Sequence, residues 1–301
     1  GCDLEDAVAQ ARLAVKAEDR RSWTQLRLVQ RGDARVAMWA LHRPNMPLVP
    51  EQILNRVTDE GRSQLAPRPS VTAAVREHLR DADNNRVVIV TGDPGDGKTS
   101  FLASLLANGR APIDETLGSG AVVHAHWCVR NDESTRQGRR LVDDWSETLS
   151  TAIPGFAAAL KQADSNTQET TFARCQRLVL EPLAAARRGG FEAPVVLVVD
   201  ALDEAAADRS EDPVVRLLQS VMMHLPPNTQ FLCTTRVDSP IKGTLIISLR
   251  DAEHAMAVND WLRARIGAAL EGVVSPARIE QASDDAVVRC RQNFLVARSL
   301  V

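Results

Sequence analysis

The chain has 301 residues, of which 44% are hydrophobic and 25% charged, and its formal net charge is −3. This composition can bury a substantial core, and it gives no overall basic surface for DNA or RNA. No apolar run approaches the roughly 18 residues that a transmembrane helix needs, and the five cysteines are scattered without a C-x-x-C pair, which argues against a disulfide framework or a zinc site. We therefore expect a soluble cytoplasmic protein with no membrane partner.

Residues 1–66 carry mixed signals. Spaced apolar positions predict an amphipathic helix over residues 3–20, short strands are predicted over 24–29 and 34–41, and proline-containing linkers follow. The opening Gly1-Cys2 is expected to be a fragment start rather than a lipidation site. We predict that 1–66 is an N-terminal extension or linker, either the tail of an effector domain or a segment packed onto the next domain.

From residue 67, predicted strands and helices alternate, which indicates a parallel sheet covered on both faces. We assign residues 67–249 to one α/β domain and 250–301 to a helical segment. The strands are predicted near residues 87, 121, 195, 230 and 244. The helices are predicted over 98–108 with Gly109 as the cap, 138–153, 170–188 with a bend at Pro182, and 214–225 with Asp212 as the cap and Pro213 as the first residue.

A glycine-rich loop follows the first predicted strand and matches the pattern G-x-x-x-x-G-K-[ST] at every position. Its residues are Gly92, Asp93, Pro94, Gly95, Asp96, Gly97, Lys98 and Thr99, followed by Ser100. The glycines let successive amides point at one anion, and the next helix adds its positive N-terminal end. Lys98 would bind the outer phosphates and the Thr99 hydroxyl would bind Mg²⁺. Residues 92–100 are thus predicted to bind a nucleoside triphosphate, with Asp93 and Asp96 facing solvent because carboxylates repel phosphates.

A second strand completes this prediction. Residues 195–199 form a β-branched apolar run, typical of a strand buried on both faces, and the run ends at Asp200. Ligands bind at the carboxyl ends of parallel strands, so Asp200 should reach a metal ion bound by Thr99. Asp203 and Glu204 follow closely.

These residues together resemble a NACHT-type P-loop NTPase, within the STAND class of signal-transducing ATPases. The strand, Asp200, a small residue, an apolar residue and two acids are similar to the variant Walker B motif of this family. Segment 230–236 resembles the sensor strand that ends in Thr-Ser/Thr-Arg, and 122–130 resembles the second strand. Segment 259–262 with Arg265, and segment 293–297, resemble elements of the helical lid of this family.

The resemblance covers most of residues 70–300 and implies several properties. The fold would be a five-stranded parallel sheet of order 5-1-4-3-2, flanked by helices and followed by a helical lid. The cofactors would be ATP or ADP with Mg²⁺, and Arg236 would contact the γ-phosphate. Two departures stand out. Ala201 takes the place at which simpler ATPases have glutamate. The sequence reaches only Val301, before the winged-helix segment in which the family has a histidine near the nucleotide. No repeat period of a sensor array is found, so the effector and sensor regions are expected outside this chain.

Asp203 and Glu204, the acids that follow Asp200, have two interpretations. In one, Glu204 is the general base for the attacking water and Asp203 supports the metal or its water shell. In the other, both are a solvated start of the next loop. Arg236 could likewise pair with a nearby acid instead of contacting phosphate. We favour the functional interpretation of all three, which gives Lys98, Asp200, Asp203, Glu204 and Arg236 as the catalytic set.

Two further groups of residues are predicted to be structural. His124, His126 and Cys128 share one face of a predicted strand, but without a fourth ligand we favour ordinary packing over a metal site. Trp261 and Phe294 are predicted to belong to the core of the lid rather than to stack on a base.

The leading functional hypothesis is a slow ATPase that acts as a nucleotide-dependent switch, with a homo-oligomer in the ATP state. The alternative is a motor ATPase of the AAA+ kind that remodels protein or nucleic acid. A third possibility is a scaffold that keeps nucleotide without hydrolysing it, and a small-molecule kinase is disfavoured because no acceptor-binding signature accompanies the loop.

Overall fold

The computed structural model describes residues 48–51, 53, 68–82, 86–106, 117, 121–160, 169–206, 213–236, 241, 245–250 and 252–290. The elements predicted over 3–41 lie outside these residues. So do the predicted caps Gly109 and Asp212 and the segment 293–297 with Phe294.

The centre of the fold is a five-stranded parallel sheet. The strands are β1 (Val87–Thr91), β2 (Val122–Trp127), β3 (Val195–Asp200), β4 (Thr229–Thr235) and β5 (Leu245–Ser248). Their order is β2-β3-β4-β1-β5, which is the predicted order 5-1-4-3-2 read from the other edge. The predicted α/β fold is therefore confirmed.

Both faces of the central strands β1, β3 and β4 are buried. Along β1, Val87 and Ile89 belong to one hydrophobic cluster, whereas Val88 and Val90 belong to a second. This alternation follows from the period of two in a strand, which points successive side chains to opposite faces. A continuous apolar run is therefore what a central strand of a three-layer fold requires.

Helices cover the two faces of the sheet, and two further helices follow it. They are α1 (Pro69–Arg80), α2 (Lys98–Leu106), α3 (Gly138–Ala152), α4 (Phe156–Leu160), α5 (Thr171–Cys175), α6 (Glu181–Arg188), α7 (Leu202–Ala206), α8 (Val214–Val221), α9 (Ala252–Leu270) and α10 (Pro276–Cys290). Side chains of α1 and α2 pack on the Val88 side, and side chains of α3, α6 and α8 pack on the Val87 side. Among the described residues, no helix is long and apolar enough to cross a bilayer.

The helical stretch predicted over 170–188 contains a widened turn. A π-helical segment, Gln176–Leu180, separates α5 from α6, and the amide of Glu181 donates to the carbonyl of Gln176, five residues back. Pro182 explains this turn, because a proline has no amide hydrogen and its ring would clash with the carbonyl four residues earlier in a regular helix. The bend predicted at Pro182 is thus realised as a π turn.

The start of α8 differs from the prediction. Pro213 has extended backbone (ψ 145°) and is the residue that precedes the helix, not its first residue. It forms an isolated bridge with Gln137, which requires the extended conformation. The helix also ends earlier than predicted, because a 3₁₀ turn, Met222–His224, follows α8.

Residues 48–53, as far as they are described, pack onto the same layer as α1 and α2. Val49 and Ile53 are buried, and the indole Nε1 of Trp127 donates to the carbonyl of Leu48 over 3.0 Å. This part of the N-terminal region is therefore attached to the domain.

Helices α9 and α10 pack against each other after the sheet. Their small cluster contains Val258, Leu262, Ile266, Ala286 and Cys290. Trp261 lies against this cluster, as predicted for a core residue of this helical pair, and Arg265 lies over its ring at 5.8 Å. The role of the pair as a lid, and the division of the chain at residues 66 and 249, remain predictions.

Candidate functional site

The glycine-rich loop connects β1 to α2 at the carboxyl edge of the sheet. Gly95 (φ 92°) and Gly97 (φ 86°) lie in the left-handed region, where residues with a Cβ are strained. The amide of Phe101 donates to the carbonyl of Gly97 over 2.8 Å, so the helix begins directly from the loop. Loop amides and the positive end of α2 therefore occur together, which is the arrangement that binds phosphate.

Asp96 was predicted to face solvent, and this prediction is wrong. Its side chain is fully buried and accepts the amide hydrogen of Asp93 over 2.6 Å. A Cβ on Gly92 would lie 3.2 Å from the Asp96 carboxylate and 3.4 Å from the Cβ of Leu249. Gly92 is thus needed for close packing inside the loop. The prediction failed because it considered only repulsion from phosphate and not a partner within the protein.

That partner is Arg250, which follows β5. Its guanidinium Nε donates to the Asp96 carboxylate over 2.9 Å, and Nη1 lies 2.7 Å from Asp93. Asp93 is 41% exposed, so the expectation that it faces solvent is only partly met. Arg68, a buried residue before α1, donates to the backbone carbonyl of Asp96 over 3.0 Å. Neither arginine was predicted from the sequence, since neither lies in a recognisable motif.

Lys98 contacts its own loop. Its Nζ donates to the carbonyls of Gly92 over 2.7 Å and of Asp93 over 3.1 Å. Burial lowers the pKa of Lys98, while the negative charges of Asp203, Asp96 and Asp200 oppose this shift. The ammonium group thus lies near Asp200 and Asp203 of the predicted catalytic set, and also near Asp96, which was expected to face solvent.

Thr99 and Asp200 meet at this edge. The Thr99 hydroxyl donates to the Asp200 carboxylate over 2.8 Å, although the two residues are 101 positions apart. Asp200 is 3% exposed, and burial raises its pKa, whereas hydrogen bonds from Thr234 and Thr99 oppose this rise. A hard cation prefers such oxygen ligands, so the donor set of these two side chains fits Mg²⁺.

Thr234 joins this site from the neighbouring strand. Its hydroxyl donates to the Asp200 carboxylate and accepts the amide hydrogen of Ala201 over 2.9 Å. Ala201 has a positive φ of 57°, so the chain turns sharply directly after Asp200. Sequence analysis placed Thr234 in the sensor strand but gave it no role. Thr234 follows Cys233, and Cys233 pairs with Val199, the residue before Asp200. This strand register places Thr234 beside Asp200.

Asp203 and Glu204 both lie in α7, directly after this turn. The Asp203 carboxylate accepts a hydrogen bond from Nε of Arg236 over 2.7 Å, and its other oxygen is buried without a hydrogen-bond partner among the described residues. Arg236 is 52% exposed. Glu204 is half-buried, and its negative charge contributes to the raised pKa of Asp200. The structure thus brings both acids to the site and pairs one of them with the predicted sensor arginine.

The remaining loop residues flank the same edge. Pro94 is exposed at the tip of the loop, and Ser100 is half-buried in the first turn of α2.

The two histidines of β2 have separate partners. Nδ1 of His124 lies 2.8 Å from the Thr148 hydroxyl, and burial lowers the pKa of His124 to about 3. Nε2 of His126 donates to the carbonyl of Thr135 over 2.6 Å. Cys128 is buried, and burial raises the pKa of its thiol. Within the described part of the chain, no group of three or more His, Cys, Asp or Glu side chains is arranged to hold a metal ion.

The parallel sheet, the glycine-rich loop and the acid-tipped β3 define the fold of a P-loop NTPase. Residues 71–236 match the family model described as Nephrocystin 3, N-terminal. The match covers more than half of the chain, and the chain belongs to this family. The predicted resemblance is confirmed.

Two solved structures are similar. One is a Signal Transduction ATPase with Numerous Domains (STAND) protein with a tetratricopeptide repeat sensor from Pyrococcus horikoshii, with 15% sequence identity and a TM-score of 0.40, covering 77% of this chain and 28% of that chain. The other is a Walker-type ATPase of Pyrococcus abyssi, with 15% identity and a TM-score of 0.40, covering 78% of this chain and 70% of that chain. The chain thus spans less than a third of the first protein. The search of curated proteins found no match.

Proposed function

We propose that the chain binds and slowly hydrolyses ATP, and that the bound nucleotide acts as a switch controlling oligomerisation or an attached effector in the cytoplasm. The observation that carries this proposal is the 2.8 Å contact between the Thr99 hydroxyl and the Asp200 carboxylate beside the glycine-rich loop. It is the pairing that a P-loop NTPase uses to hold a metal–triphosphate group.

Mg²⁺ would be held by Thr99 and Asp200, with Thr234 fixing the orientation of the carboxylate. When bound, it supplies positive charge that neutralises the phosphate oxygens. Lys98 contributes a second positive charge, and its bonds to the carbonyls of Gly92 and Asp93 hold the ammonium group beside the loop amides. The loop itself orients the phosphate chain.

Glu204 is our choice as general base. It would accept a proton from the water that attacks the γ-phosphorus, while the bond from phosphorus to the β,γ-bridging oxygen breaks and ADP and phosphate leave. Asp203 instead holds the guanidinium of Arg236 next to the site. Arg236 would contact the γ-phosphate by exchanging this carboxylate for a phosphate oxygen.

The switch requires that ATP and ADP favour different arrangements. A ligand shifts an equilibrium only by its difference in affinity for the two states, and a shift from 1:99 to 99:1 takes about 5.5 kcal/mol. Hydrogen bonds to charged groups contribute about 1.5–3 kcal/mol each. Two such contacts to the γ-phosphate, from Lys98 and Arg236, are therefore of the right size. Helices α9 and α10 are the proposed moving lid.

The test combines hydrolysis and solution mass. Single-turnover hydrolysis is measured for the wild type, for Glu204→Gln and for the control Glu147→Gln, which changes an exposed residue of α3. Mass is measured by light scattering with ADP and with a non-hydrolysable ATP analogue. We expect slow hydrolysis that is lost only in Glu204→Gln, and a larger mass with the analogue. Fast continuous turnover at constant mass would instead support the motor alternative.

A further inference from the structure

The phosphate-binding loop contains two acids, which is an unusual charge for an anion site. Asp96 is fully buried and Asp93 is 41% exposed. A carboxylate next to a polyphosphate repels it, and burial strengthens this repulsion because the dielectric is low. The loop can therefore accept a triphosphate only if these charges are compensated by the protein.

Arg250 contacts both carboxylates. Nε and Nη2 approach the two oxygens of Asp96 at 2.9 and 3.5 Å, and Nη1 lies 2.7 Å from an oxygen of Asp93. The planar guanidinium suits such forked contacts, which a lysine ammonium cannot reproduce. The hydrogen bonds to Asp96 raise the pKa of Arg250. The contact is made across 154 positions of sequence.

The backbone around Arg250 is fixed to the sheet on one side and leads into a helix on the other. The amide of Leu249 donates to the carbonyl of Thr91 over 2.8 Å, which extends the β1–β5 pairing by one residue. The amide of Arg250 donates to the Ser248 hydroxyl over 3.1 Å. Helix α9 begins at Ala252. The guanidinium therefore belongs to the junction between the sheet and the α9–α10 pair.

We propose that Arg250 is a positioning residue that couples the phosphate-binding loop to helices α9 and α10. It holds Asp96 and Asp93 in the loop conformation that accepts a triphosphate, and a rotation of α9 at this junction moves the guanidinium away from them. This inference rests on the proposed nucleotide binding at the loop and adds a route by which the helices regulate it.

Coupling of this kind is reciprocal. If the affinity of the loop for nucleotide differs between two positions of α9, bound nucleotide must shift the equilibrium between these positions by the same free energy. Two observables therefore test one contact: the nucleotide affinity and the protection of α9 amides against hydrogen exchange.

The affinity test uses the full chain. Dissociation constants for ATP and ADP with Mg²⁺ are measured by calorimetry for the wild type, Arg250→Ala and Arg250→Lys. The control is Arg263→Ala, which removes an exposed ion pair with Asp284 between α9 and α10. Loss of the charge-assisted contacts should weaken binding of both nucleotides about 10- to 100-fold in Arg250→Ala. Arg250→Lys should recover only part of this loss, and the control should bind as the wild type does.

A second variant separates charge compensation from simple packing. Asp96→Asn keeps an oxygen that can accept the Asp93 amide hydrogen but removes the buried charge. In the Asp96→Asn background, Arg250→Ala should reduce the free energy of nucleotide binding by less than about a third of the reduction that it causes in the wild type. An equal cost in both backgrounds would mean that Arg250 only packs against the loop, and the inference would be wrong. If Arg250→Ala alone fails to fold, the same two backgrounds are compared with Arg250→Lys, and the same smaller effect is expected in the Asp96→Asn background.

Hydrogen exchange tests the coupling itself. In the wild type, saturating nucleotide should change the exchange of α9 amides, and in Arg250→Ala at saturation this change should be lost. An unaltered response of α9 in Arg250→Ala would overturn the coupling. Absence of nucleotide binding in the wild type would instead overturn the proposed function, so the two failures are distinct.

Discussion

Replacing Asp200 by asparagine should stabilise the protein while weakening its use of Mg²⁺. The substitution keeps the shape of a side chain that is 3% exposed and hydrogen-bonded to Thr99 and Thr234, but it removes the charge. Burial raises the pKa of Asp200, so the folded state binds the proton more tightly than the unfolded state. The stabilising contribution of this group is therefore complete below the unfolded pKa and is lost as the pH rises through the folded pKa.

The expected gain in stability follows from this sign. An ionised carboxylate is a cost in this buried position, and stabilising substitutions commonly add about 0.5–2 kcal/mol. For a domain of this size about 2–4 °C of Tm corresponds to 1 kcal/mol. We expect Asp200→Asn to raise Tm by about 1–8 °C at pH 7. The gain should shrink as the pH falls, because the wild-type carboxyl then becomes protonated.

The binding assay gives the second half of the prediction. Calorimetry with Mg²⁺ should show ATP binding weakened about 10- to 100-fold, the size of one lost charge-assisted contact of about 1.5–3 kcal/mol. With EDTA this loss should disappear, and the variant should bind ATP at least as tightly as the wild type because the buried negative charge no longer repels the phosphates. Asp285→Asn, an exposed change on α10, is the matched control for scanning fluorimetry and calorimetry. A lower Tm together with unchanged Mg²⁺-dependent binding would refute the reasoning.

Three further substitutions probe separate parts of the account. Arg236→Gln should weaken ATP binding about 10- to 100-fold and leave ADP binding unchanged by calorimetry; an equal loss for both nucleotides would contradict the γ-phosphate contact. Arg187→Ala removes hydrogen bonds to three backbone carbonyls at the start of β3 and β4, and urea titration should show a loss of about 2–5 kcal/mol with an unchanged slope. Trp145→Ala removes a fully buried ring that stacks on Phe231 at 5.6 Å; a loss of about 3–5 kcal/mol is expected in the same assay, and a loss below 1 kcal/mol would mean that this face of the sheet repacks.

The parts of the fold that the sequence predicts correctly depend on local patterns. The apolar run before Asp200 has one physical solution, a strand buried on both faces, and the glycines at 95 and 97 are required by their positive φ. The loop and the acid-tipped strand could therefore be identified without coordinates. Their meeting at 2.8 Å follows from the parallel topology.

The parts that sequence analysis missed depend on pairs that are distant in the chain. The contact of Arg250 with Asp96 spans 154 positions and no local pattern indicates it. Charge repulsion alone suggested the wrong environment for Asp96, because the compensating guanidinium was unknown. The predicted start of α8 was wrong for a similar reason. Gln137 and Pro213 are distant in the chain, and the bridge between them keeps that proline extended.

Equilibrium binding of ATP to the wild type and to Lys98→Ala, each with and without Mg²⁺, tests the central claim most directly. Lys98 lies on the glycine-rich loop beside Asp200, and its removal takes away the ammonium group that the account assigns to the phosphates. The wild type should bind ATP more tightly with Mg²⁺ than without it, and Lys98→Ala should lose about 10-fold or more of this affinity. ATP binding that is equally tight in Lys98→Ala, or indifferent to Mg²⁺ in the wild type, would contradict the account.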